Sequence, residues 1–136
     1  MRTLPILTLA VALVITAGCS RGDAGRQVPD GDGWRQGVVT AIEGTPGVSS
    51  SSVVVQESDN GAGRSGPLLF GSIKVRGEPK PIVDEAMRRV SDVLGPTSGG
   101  VRINIHISSD GGPARKLRQY GYDGVSDGAA LWTATH

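Results

Sequence analysis

The sequence predicts an α+β fold: a two-layer sandwich in which an antiparallel sheet of three or four strands carries two helices on one face, in the order α-β-β-α-β-β. Three observations predict it. Residues 101–108, VRINIHIS, alternate aliphatic and polar without a fault, which is the pattern of a half-buried strand. Residues 82–94 carry an apolar stripe at helical spacing. Between 47 and 76, two β-branched runs flank the Gly-rich segment DNGAGRSG.

The first helix is expected at residues 34–43, where Trp34, Val38, Ala41 and Ile42 fall at i, i+4, i+7 and i+8 on one face. Asp32 stands where an N-cap belongs, and Gly44 with Pro46 ends the run. GVSSSSVVVQES then reads as a strand and PLLFGSIKVR as its partner. The intervening loop makes a hairpin with a connection longer than a tight turn. The second helix follows Pro79 and Pro81. Its stripe is Ile82, Val83, Ala86, Met87, Val90, Val93 and Leu94, and Gly95 with Pro96 stops it. Asp84 and Glu85 occupy the first turn, where the helix dipole favours anions, and Arg88 and Arg89 stand at i+4 to pair with them. Met87 on this stripe is core filler. In the strand at 101–108, Val101, Ile103, Ile105 and Ile107 face the helices, and Arg102, Asn104, His106 and Ser108 face away. Beyond it PARKLRQY reads as a short helix, GYDGVSDG as a loop and AALWTAT as a final edge strand.

Residues 4–17 form a charge-free apolar run of fourteen behind Arg2. A membrane span needs roughly 20 apolar residues, so the run has the length and flanks of a secretory signal peptide. Its end, Thr16-Ala17-Gly18-Cys19, resembles the lipobox of bacterial lipoproteins, with Thr16 where a larger aliphatic is commoner. That resemblance implies cleavage between Gly18 and Cys19, diacylation of the Cys19 sulfur, and a chain held at the extracytoplasmic face of the cell membrane. Two acyl chains supply the stable anchoring that one chain does not. Cys19 is the only cysteine. Its acylation excludes an intramolecular disulfide, a cysteine nucleophile, a Cys-type zinc site and an iron–sulfur cluster.

The expected division is therefore a signal peptide at 1–18, a lipidated tether at 19–33 and one small α+β domain at 34–136. Residues 20–33, SRGDAGRQVPDGDG, are polar with no apolar period and extend to at most about 50 Å. Arg21-Gly22-Asp23 within them spells an adhesion tripeptide, but three small polar residues recur by chance in a tether. Leader removal takes Arg2 and leaves 13 basic against 13 acidic residues. Such a neutral, aromatic-poor chain lacks the basic field and stacking platform of a nucleic-acid binder. Eleven Arg against three Lys, with 21 Gly, read as GC-rich coding and hence a high-GC bacterium. The cadence GTPGVSSSSVVV is similar to ferredoxin-like modules, including heavy-metal-associated domains and the BON domains of envelope proteins. The CxxC pair of the metal-binding family is absent, so its activity does not carry over.

Four candidate sites follow. DGDGWRQGVVTAIE suggests a calcium loop, but neither register, from Asp30 or from Asp32, places oxygen ligands where an EF-hand needs them. His106 with Ser108 and Asp110 offers the groups of a small hydrolase, without the GxSxG elbow. Arg102, Asn104, His106 and Lys74 are expected on the polar sheet face, open to solvent or to a partner. Arg115, Lys116 and Arg118 form a basic run suited to an anionic surface. The sequence thus predicts an envelope lipoprotein that binds or assembles without catalysis, cofactor or metal. An envelope hydrolase using His106 is one alternative. The other is a regulatory subunit of an envelope complex, for which an apolar patch at Trp132 or Tyr120 would speak.

Overall fold

Helix α1 (Gly33–Glu43) begins behind Asp32, whose carbonyl accepts from the Arg35 amide at 3.2 Å although its side chain makes no cap bond. It buries Trp34, Val38 and Ile42, the spacing its sequence predicts. This is seen in a computed structural model that describes residues 27–59 and 65–136. The leader, Cys19 and most of the tether lie outside the described residues.

The next run, expected as one strand, is two. β1 (Val48–Ser51) and β2 (Val54–Asp59) both pair antiparallel with β3 (Ser65–Val75), β1 along residues 73–75 and β2 along residues 65–70. The break falls at Ser52, whose amide donates to the Ser72 carbonyl at 2.9 Å while its hydroxyl accepts from the Ser72 amide at 3.0 Å. The side chain thus takes over a backbone acceptor's place. Gly71 makes this approach possible: its φ is +146°, and a Cβ there would lie 2.6 Å from the Ser52 carbonyl oxygen and the Val53 Cα.

Helix α2 (Pro79–Leu94) starts before the expected residue 82. Pro79 and Pro81 lie inside its first turn, where backbone N–H groups have no intrahelical partner and proline costs nothing. Val83, Ala86, Met87, Val90 and Leu94 are buried on the predicted stripe. α2 connects β3 to β4 (Arg102–Ser109), and those two strands run parallel, with Leu69 opposite Ile103 and Ile73 opposite Ile107. The expected all-antiparallel sheet is therefore corrected to a mixed one, because a crossover helix between adjacent strands returns the chain in the same direction. β5 (Arg115–Lys116) pairs antiparallel with β4, and Leu117–Tyr120 form a 3₁₀ turn where a short helix was expected. Across the sheet the order is β1 and β2 in line, then β3, β4 and β5.

The last segment is also corrected. AALWTAT is not an edge strand but helix α3 (Gly128–Thr135), making three helices among the described residues in place of two. The Asp127 side chain accepts from the Ala130 amide at 2.9 Å, and this cap with the following alanines outweighs the strand preference of the apolar residues. α3 buries Leu131 completely and ties to α2 through Thr135–Ser91 at 2.7 Å and His136–Asp92 at 3.0 Å. All three helices contribute to one buried cluster with Val53, Leu69, Ile73, Val75, Ile103, Ile105 and Ile107 of the sheet. The helix layer thus covers one sheet face in a two-layer α+β sandwich.

On α2 the predicted ion pairs form only in part. Arg89 reaches Glu85 at 2.9 Å and Arg88 reaches the same carboxylate at 3.6 Å, while Asp84 pairs with Lys80 at 2.7 Å and not with Arg88. The hydrogen bond from Arg89, helped by the field of both guanidinium groups, outweighs desolvation and holds the Glu85 carboxyl below its ordinary range.

Two substitutions test this architecture by denaturant unfolding. Gly71→Ala is expected to cost roughly 1–3 kcal/mol because the new methyl meets backbone. Asp127→Ala is expected to cost about 1 kcal/mol through the lost cap.

Candidate functional site

Among the described residues, one side of the sheet carries no helix. Pointing to that side are Val54, Gln56 and Ser58 of β2, Leu68, Phe70, Ser72 and Lys74 of β3, Arg102, Asn104, His106 and Ser108 of β4, and Lys116 of β5. Register sets them in rows: Gln56–Leu68–Arg102, Val54–Phe70–Asn104, Ser72–His106–Lys116, and Lys74–Ser108. Phe70 is 44% and Val54 49% exposed, and as direct cross-strand partners they form an apolar step in the middle of this face. Arg102 crosses it, its guanidinium donating to the Ser58 carbonyl at 3.3 Å.

The structure brings Arg102, Asn104, His106 and Lys74 onto this one face, with Lys74 beside Ser108 and one row beyond His106. It divides the basic run. Lys116 lies opposite His106 on the open face, whereas Arg115 lies opposite the buried Ile107 and turns to the helix side. There it lines a groove of about 480 Å³ with Glu78, Lys80, Ser109 and Tyr120. Arg118, in the 3₁₀ turn, lines a different groove of about 360 Å³ that Asn104, Lys116, Asp123 and Ser126 share. The three residues are not one patch.

The grouping a hydrolase needs is not formed. Among the described residues no side-chain hydrogen bond joins His106, Ser108 and Asp110. The first two follow one another along a strand, and Asp110 sits beyond its end in a turn, at φ +32°. Nucleophilic catalysis requires nucleophile and base within hydrogen-bond reach. Nor is there, among the described residues, a group of three or more His, Cys, Asp or Glu placed to hold a metal ion. No helix of the described residues is long and apolar enough to cross a membrane.

No family model, curated protein or solved structure matches this chain. The site rests on its own geometry.

The apolar patch anticipated at Trp132 or Tyr120 is not there. Trp132 stacks on His136 at 3.5 Å between ring centroids, and Tyr120 packs against the core. The large exposed hydrophobics among the described residues are instead Val28, Val54 and Phe70, of which the last two are cross-strand partners. The sequence held that signal: in PLLFGSIKVR one parity gives Leu69, Gly71, Ile73 and Val75, and the other gives Leu68, Phe70, Ser72 and Lys74.

The loop that places Lys116 is pinned from behind. Tyr122 is buried, and its Oη donates to Asp84 Oδ1 at 2.7 Å, the carboxylate that Lys80 also contacts at 2.7 and 2.8 Å. Burial first, and then the adjacent Asp84 carboxylate, raise the Tyr122 phenol above its ordinary value. The unfolded chain therefore ionises this tyrosine at lower pH than the folded one. The stability it contributes is complete below the ordinary phenol range, near pH 10, and is lost as pH rises from there toward the higher pH at which the folded phenol ionises. Tyr122→Phe is expected to flatten the alkaline limb of a stability-against-pH curve, measured by urea unfolding from neutral pH upward. An unchanged limb would show that the Asp84 contact carries no such weight.

Proposed function

We propose that this chain is a lipid-anchored envelope lipoprotein at the extracytoplasmic face of the cell membrane, acting as a non-catalytic binding or assembly module. The single observation that supports the binding role is the sheet face left bare by all three helices, with Phe70 and Val54 exposed at its middle and Lys74, Arg102, His106 and Lys116 around them. Half-exposed aromatic and branched side chains set side by side on a polar face are what a contact surface offers and what a merely solvated face has no use for. The anchor rests on the order of Arg2, the apolar run, Ala17, Gly18 and Cys19.

The anchor is tested by mass spectrometry of the N-terminal peptide and by Cys19→Ser. The parent peptide is expected to begin at Cys19 and to carry two acyl chains through sulfur. The variant is expected to lose the acyl mass and the cut after Gly18. A variant that matures at the same bond, beside a parent without acyl mass, overturns the anchor. The binding role is tested by Phe70→Glu, which is expected to abolish in-cell crosslinks that the parent chain forms through this face while leaving its unfolding midpoint in place.

A further inference from the structure

The bare sheet face has a charge pattern that selects its occupant. Its outward strand positions carry Lys74, Arg102 and Lys116 and no carboxylate. Glu57, on the β2 parity that faces the helices, is engaged by Arg35 at 2.6 Å. Asp127, bridged to Arg102 at the rim, spends its side chain capping α3. By strand position this face carries cations alone, with Asp123 of the following loop sharing a groove with Asn104 and Lys116 at its rim. Three cations surround the apolar pair Val54 and Phe70 on a surface roughly 20 Å wide across four strand positions.

The point where the chain enters the domain adds a second argument. The Gln27 carbonyl accepts from the Gly100 amide at 2.8 Å, two residues before Arg102. The tether thus joins at the Arg102 end of the bare face. Seven residues lie between Cys19 and Gln27, and the eight steps along the chain reach at most about 28 Å. Resting on the anchor proposed above, this length confines the domain to the immediate neighbourhood of the bilayer, where even a weak face-to-surface attraction acts at high effective concentration.

We infer that the open sheet face lies against anionic lipid headgroups of the membrane that holds the chain, Phe70 and Val54 entering between headgroups while Lys74, Arg102 and Lys116 meet phosphates. Each cation near such a surface is worth about a five-fold gain in binding, screened by salt. Phe70, Val54, Lys74 and Arg102 line neither of the grooves described above, and such an open face suits a planar array of headgroups better than a single ligand, which would call for a concave site.

The experiment uses the purified full chain as the cell makes it, mixed with vesicles of phosphatidylcholine alone or of equal parts phosphatidylcholine and phosphatidylglycerol. Hydroxyl-radical footprinting reads the labelling of Phe70, with Trp132 on the helix side as internal reference. Phe70 labelling relative to Trp132 is expected to fall about five-fold or more on the anionic vesicles at low salt, and to recover in high salt and in Lys74→Glu/Lys116→Glu. Both lysines are exposed, and the unfolding midpoint of the double variant checks that it folds. Equal labelling on the two vesicles overturns the inference, as does protection that survives the charge reversal. Protection that needs no vesicles and grows with chain concentration overturns it in favour of a second copy. The mass of the Cys19 peptide from the same preparation reports the anchor separately, so a missing acyl group and an idle sheet face give different results.

Discussion

The structure depends on the burial of one aliphatic sheet face under α2. Helix α2 is at once the cover of the sheet and the covalent link between its two longest neighbours in register, β3 and β4. Its stripe from Val83 to Leu94 and the inward row Leu69, Ile73, Ile103, Ile105 and Ile107 have no other partner large enough to exclude water. Removing apolar area from water at about 25 cal/mol per Å² is the term that orders such a domain without disulfides. α1 and α3 flank α2 and extend the same layer. Among the described residues the opposite sheet face carries no helix as a consequence, since each described helix is spent on this side.

How far this was legible in the sequence follows from how local each signal is. The β4 alternation and the α2 stripe are complete within single segments, and both stand in the structure at the expected residues. The parallel pairing of β3 and β4 was less visible because strand direction is a property of the connection and not of either strand. α3 was misread because eight residues are too few to show a helical period, whereas Asp127 followed by Gly-Ala-Ala carries the start signal in chemistry and not in pattern. The kink at Ser52 was hidden inside a run of four serines, any of which reads as strand, and only the partner glycine at position 71 marks where the backbones close in.

The same period-two rule explains what was gained and lost at the candidate site. It places Arg102, Asn104 and His106 together from the sequence alone, because they share one strand. It also divides Arg115 from Lys116, since adjacent residues in a strand look to opposite faces. Charge counted along the chain made one basic run; charge counted by face gives Arg115 to the helix side and Lys116 to the bare side. Phe70 and Val54 become neighbours only through register between two strands, which no single segment reveals.

The break between β1 and β2 bears on how this molecule lives among its neighbours. The outer border of a sheet presents unpaired backbone groups, and a long straight border invites foreign strands to add on. Here that border is cut at Ser52, opposite Gly71, into runs of four and six residues. An extended polypeptide arriving from outside therefore meets a shorter continuous template than an unbroken border would offer.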